Sequence, residues 1–121
     1  LRPDELTLLS RHPLFPERVA EYSADGGNLI HSDPQVAQQF GFRAPIAAGL
    51  MAVRLMMAHL WSIDTVESLR MTVNFRRPMF WDDELVLYGA GEANEHLLLT
   101  RADDGKIANE SHVEAVTYRS V

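Results

Sequence analysis

In the second half of the chain, one stretch alternates between apolar and polar residues, and this pattern predicts a β-strand. Over residues 68–76 the odd-numbered positions are apolar and the even-numbered positions are polar. A period of two places successive side chains on opposite faces of a sheet. Further strands are predicted over 84–91, 96–101 and 107–118, and Asp103-Asp104-Gly105 between the last two is typical of a hairpin turn.

The first half of the chain predicts helices. A long apolar segment follows Pro45, and it predicts a helix that begins between Ile46 and Gly49 and ends near Trp61. Apolar residues occur on nearly every face of this helix, so we expect it to be covered on most sides, as a single curved sheet would do.

Two shorter helices and a first strand complete the predicted elements. One short helix is expected over 17–23, behind Pro16. Another has Ser32 or Asp33 as its cap, Pro34 at its first position and Gly41 at its end. A first strand is predicted over 5–10, broken by Arg11-His12-Pro13.

This order of elements indicates the fold class. One strand, then helices, then four strands joined by hairpin-length turns is typical of an α+β domain with a five-stranded antiparallel sheet around one central helix. The 121 residues, 46% of them apolar, are enough for one domain over 1–121 with a real core. Such a sheet has unpaired edges, so we expect a homodimer.

Charge and composition exclude several classes of function. The net charge of −6 disfavours nucleic acid and anionic membranes as partners. The chain has no cysteine, which removes thiolate metal sites and nucleophilic cysteine from consideration. No histidines show metal-ligand spacing, so no metal is predicted. Without a signal-like N-terminus or a membrane-length apolar run, we expect a cytoplasmic protein.

The stretch 22–50 holds the candidate chemistry. Asp25 precedes His31 by six residues, with two glycines and Asn28 between them, and Gly49 lies where the long helix opens. A carboxylate and an imidazole facing a helix N-terminus form a plausible acid/base site with a carbonyl pocket. The alternatives are structural: Asp25 as a solvated turn residue, His31 bonded to its own loop, and Gly49 as a close-packing position.

Four blocks of the sequence resemble the MaoC-like, (R)-specific enoyl-CoA hydratases, which have the hotdog fold. The blocks are SADGGNLIHSD from Ser23, Gly41-Phe42, Pro45-Ile46-Ala47 with Gly49-Leu50, and VNFRRP with DDEL from Val73 to Leu85. They follow the family order over most of the chain. The resemblance implies a long central helix wrapped by a five-stranded antiparallel sheet.

The resemblance also implies an activity in fatty acid metabolism. It implies a hydratase or dehydratase that interconverts 2-enoyl and 3-hydroxyacyl thioesters, with Asp25 and His31 activating water. The amide of Gly49 would bind the thioester carbonyl, and Asn28 would shape the loop. The thioester would be carried by coenzyme A or by acyl carrier protein as partner, and no separate cofactor is implied. Arg76 and Arg77 are candidates for contact with the carrier's phosphates, or form a solvated edge pair.

The chain departs from the family pattern at four places, which leave alternatives open. Ala24 replaces a glycine, Leu29 a proline and Ala48 a histidine, and Gly26-Gly27 replaces a single residue. The extra glycine either forms a bulge, which leaves Asp25 in the position of the family's catalytic Asp, or shifts the chain so that Gly26 takes that position. A hotdog acyl-CoA thioesterase and a non-catalytic acyl-thioester-binding subunit are therefore alternative functions.

Overall fold

The structure is a computed structural model that describes residues 5–22 and 29–119. Its five strands are β1 (Thr7–Pro13), β2 (Val66–Phe75), β3 (Glu84–Ala90), β4 (His96–Arg101) and β5 (Ile107–Tyr118). Its helices are α1 (Pro16–Tyr22), α2 (Pro34–Gln39) and α3 (Gly49–Ile63), with short 3-10 turns at Leu29–His31 and Glu92–Asn94.

The strands form one antiparallel sheet in the order β1-β3-β4-β5-β2. Its inner face packs against α3. In β2 the alternation predicted from the sequence is seen as partly buried side chains at 69, 71 and 73 and exposed side chains at 70, 72 and 74. The core joins α3 to the inner face through Ala52, Met56, Leu60, Leu85, Leu87, Leu97, Leu99 and Val113. The predicted α+β architecture, with five antiparallel strands and a long central helix, is confirmed.

Local signals in the sequence determine where the short helix α2 begins and ends. The carboxylate of Asp33 accepts hydrogen bonds from the N–H groups of Gln35 and Val36, so it caps the helix as predicted. Beyond its end, Gly41 adopts a φ of 85°, a conformation that glycine reaches without steric cost.

The predicted end of the first strand is wrong. We expected Arg11-His12-Pro13 to break it, but β1 runs through these residues, which pair with Val86, Leu85 and Glu84 of β3. Proline is tolerated there because β1 is an edge strand and Pro13 is its last residue.

The expected covering of α3 is also incomplete in the single chain. Only Ala52, Met56 and Leu60 are buried, because the sheet covers one side of the helix. Leu50 and Trp61 on the other side remain 66% and 51% exposed.

In the described part of the chain, no helix combines the length and apolar character needed to cross a membrane.

Candidate active site

An open cleft of about 410 Å³ lies where α3 begins and β2 ends. Its walls include Ile46, Gly49, Phe75, Arg76 and Asn109. It therefore brings together the segment before α3, the first residue of α3 and the ends of two neighbouring strands.

The segment before α3 is held from two sides. On one side, the N–H of Ala47 donates to the carbonyl of Met79 (2.7 Å) and the N–H of Trp81 donates to that of Pro45 (2.9 Å). On the other, the N–H of Ile46 donates to the carbonyl of Ile30 (3.0 Å). Because backbone hydrogen bonds fix Ile46 on both sides, it gives the site a rigid wall.

The imidazole of His31 is bound to this wall. Its Nδ1 lies 2.7 Å from the carbonyl oxygen of Ile46, and the side chain is half-buried. A carbonyl can only accept, so Nδ1 carries the proton and donates it. In the neutral ring Nε2 is then the acceptor nitrogen, as a general base requires. No hydrogen bond connects the His31 ring to its own 3-10 turn.

The N-terminus of α3 presents unsatisfied donors. The cap residue Ala48 has no side chain that can bind them, and no acidic residue lies in the first turn. In an α-helix the first N–H groups have no intrahelical partner and carry the positive end of the helix dipole. The N–H of Gly49 is thus available to an oxygen that develops negative charge.

Gly49 has a packing role as well. A Cβ at this position would lie 3.0 Å from Cε1 of Phe75, so the aromatic ring covers the α-carbon. The close-packing alternative and the carbonyl-binding role are therefore compatible.

Arg76 and Arg77 lie at the edge of the cleft and are exposed. Nη2 of Arg76 donates to Oε1 of Glu110 at 2.6 Å, and Nη1 of Arg77 donates to the carbonyl of Ile107 at 2.8 Å. Each guanidinium thus already has one partner, and phosphate contact remains a prediction.

Asn109 is a residue of the cleft that was not predicted from the sequence. It is 2% exposed. The signal was present, because Asn109 and Ser111 are polar residues at inward-facing positions of β5 that pair with Leu99 and Leu97. A polar residue at a core position calls for a partner.

Asp25 and Asn28 lie outside the described residues, so their predicted roles stay predictions. Among residues 5–22 and 29–119, no three His, Asp or Glu side chains are grouped so that they could hold a metal ion.

A five-stranded antiparallel sheet around one long helix, with a cleft at the helix N-terminus, defines a hotdog protein. No protein-family model and no curated protein matches this sequence. Solved structures do match. HtdX of Mycobacterium tuberculosis has a TM-score of 0.76 and 26% identity, over 88% of this chain and 46% of HtdX. The chain thus spans about half the length of HtdX.

Two further neighbours match over nearly their whole length. An (R)-hydratase from A. caviae involved in PHA biosynthesis has a TM-score of 0.75 and 20% identity, over 94% of each chain. A MaoC-like dehydratase from Rhodospirillum rubrum has a TM-score of 0.70 and 14% identity, over 96% of this chain and 92% of that one. Other neighbours were solved as complexes, ChsH1-ChsH2 and HadBC. The neighbours are MaoC-like and (R)-hydratase hotdog proteins, which confirms the predicted resemblance.

Proposed function

We propose that the chain is a hydratase or dehydratase that interconverts 2-enoyl and 3-hydroxyacyl thioesters of coenzyme A or acyl carrier protein. The observation that carries the proposal is the half-buried His31, whose Nδ1 donates to the carbonyl of Ile46, a residue that lines the cleft together with Gly49 at the start of α3. Two of the structural neighbours are an (R)-hydratase and a MaoC-like dehydratase, which supports the same chemistry.

The proposed reaction adds water across the double bond of the enoyl thioester. Nε2 of His31 accepts one proton of the water as its oxygen bonds to C3. The electron pair of the double bond moves towards the thioester carbonyl, where the N–H of Gly49 stabilises the enolate oxygen. The α-carbon then takes a proton from the acid/base pair, in which we assign the carboxylate to Asp25.

The test measures the loss of enoyl absorbance with crotonyl-CoA and with longer 2-enoyl-CoAs. Turnover by the wild type that His31→Ala abolishes supports the proposal, and absence of turnover contradicts it. Release of free thiol without enoyl consumption would identify a hotdog thioesterase instead. Binding of acyl-CoA without either reaction would identify a non-catalytic subunit.

We also propose that the active form is a homodimer. Leu50, Met57 and Trp61 lie on one stripe of α3, at i, i+7 and i+11, and all three are exposed. Contiguous exposed apolar residues mark association surfaces. Both β1 and β2 also have one unpaired edge.

Analytical ultracentrifugation tests this association. Trp61→Glu should convert a dimer to a monomer, whereas Phe40→Glu should not, because Phe40 is even more exposed (68% against 51%) but lies outside the stripe. A wild type that is monomeric alone and dimeric only with a different hotdog chain would contradict the homodimer.

A further inference from the structure

The side chain of Asn109 has an unmet hydrogen-bonding capacity at the wall of the cleft. Its Nδ2 donates to Sδ of Met79 at 3.2 Å, while its buried Oδ1 has no hydrogen-bond partner among the described residues. An amide oxygen withdrawn from water without a partner destabilises the folded protein, so such groups call for a functional explanation.

The register of the strands places Asn109 between two other parts of the site. It pairs with Phe75, the residue whose ring covers Gly49 at the start of α3. On its other side, the N–H groups of Arg76 and Arg77 donate to the carbonyl of its neighbour Ala108. A path along the cleft from the helix start to the arginines therefore passes Asn109.

The carboxamide is also available for a ligand. The thioether sulfur of Met79 is a weak acceptor, so little is lost when that contact is exchanged. The last torsion of an asparagine side chain is soft, so the amide can rotate to meet a molecule in the cleft that Asn109 lines. The amide then offers one acceptor and one donor to a bound molecule.

We propose that Asn109 is a positioning residue for the carrier arm of the thioester, and that its amide hydrogen-bonds the first amide of the pantetheine group. This inference rests on the proposed function. In the enoyl complex the acyl group has neither N–H nor O–H, so it cannot satisfy Oδ1. The first pantetheine amide lies only a few bonds from the thioester sulfur, and its N–H matches the free acceptor. The arginines at the cleft edge lie on the side where this polar arm leaves.

A pair of small substrates isolates this hydrogen bond. Crotonyl-N-acetylcysteamine carries the amide, and the matching oxygen ester replaces its N–H by an oxygen atom. We expect the wild type to prefer the amide by about tenfold in kcat/KM. Asn109→Leu should reduce this ratio to about one. Because a ratio within one variant cancels losses of folded protein, a merely structural role would not change it.

Asn74→Leu is the matched control. Asn74 is an exposed asparagine on the neighbouring strand, paired with Glu110 and outside the cleft. It should keep the wild-type preference. Equal preference in Asn109→Leu and the wild type, or no preference in the wild type, would overturn the inference. The wild-type comparison needs no variant, so it remains decisive if Asn109→Leu does not fold.

Binding of butyryl-CoA separates this inference from the proposed reaction, because this saturated thioester cannot be hydrated. By calorimetry, Asn109→Leu should weaken its binding about tenfold while Asn74→Leu leaves it unchanged. This result would support the inference even if the wild type hydrates no enoyl thioester. Unchanged binding in Asn109→Leu would overturn it even if hydration is observed.

Thermal stability gives a second readout. Since Asn109→Leu removes an unsatisfied buried oxygen, its Tm should equal or exceed that of the wild type. We expect Asn109→Leu to bind butyryl-CoA more weakly and to have a Tm at least equal to that of the wild type. This combination indicates that Asn109 serves binding and not stability. A lower Tm with an unchanged amide preference would indicate a structural residue and contradict the proposal.

Discussion

Replacement of His31 tests whether the ring acts as a base or only fastens the chain. His31→Asn keeps a side-chain donor near the Ile46 carbonyl but removes the Nε2 acceptor. A positioned general base contributes about 10²- to 10⁴-fold to the rate, which corresponds to about 3–5 kcal/mol of transition-state stabilisation. We therefore expect kcat/KM for crotonyl-CoA to fall by at least about a hundredfold in His31→Asn.

The structure predicts a much smaller effect on folding. His31→Ala removes one hydrogen bond of a half-buried ring, and such a bond contributes about 0.5–1.5 kcal/mol to the free energy of unfolding. In a domain of this size, that change lowers Tm by about 2–8 °C. His31→Asn should lose less, because it can retain the hydrogen bond.

His12→Ala is the matched control for these variants. His12 is also half-buried and makes one side-chain hydrogen bond, at 2.7 Å from Nε2 to Oγ of Ser10. Ser10 does not line the cleft, whereas Ile46, the partner of His31, does. We expect similar losses of stability in His12→Ala and His31→Ala, measured by urea unfolding, and a loss of activity only in the second. Activity of His31→Asn within about threefold of the wild type would refute the assignment of His31 as the base.

Three further predictions concern the helix start, the core and one charged turn. In Gly49→Ala the new Cβ would displace the exposed ring of Phe75. We therefore expect kcat/KM to fall, while the free energy of unfolding in urea changes by less than about 1 kcal/mol. Recovery of activity in Gly49→Ala/Phe75→Ala would show that displacement of the ring, and not a change at the helix amide, caused the loss. Met56→Ala should lower the free energy of unfolding by about 2–5 kcal/mol, because Met56 is fully buried. Met57 is the next residue and is exposed, so Met57→Ala should lower it little and should instead weaken self-association. Equal losses of stability in the two variants would contradict this packing. Hydrogen bonds from Arg101 hold the pKa of Asp104 at about 2, below its ordinary value. Ionised Asp104 therefore stabilises the fold above pH 4, and this contribution disappears as the pH falls towards 2. The free energies of unfolding of the wild type and Asp104→Asn should converge over that range.

The sequence by itself determined the elements whose signals are local. The strand β2 follows from side-chain alternation, α2 from Asp33 and Gly41, and the last hairpin from Asp103-Asp104-Gly105, because these patterns act within a few residues of one another. Family motifs supplied His31 and Gly49. Gly49 lines the cleft, and the ring of His31 is hydrogen-bonded to Ile46, which also lines it.

Only the tertiary structure decided what depends on residues distant in the chain. The strand β1 extends to Pro13 because β3, more than seventy residues away, pairs with it. The tautomer of His31 is set by a carbonyl fifteen residues away, and the partnerless oxygen of Asn109 becomes evident only when β2 and β5 pair. Hydrogen bonds and close contacts of this kind require a fixed relative position of separate elements, and no local pattern of residues encodes that position.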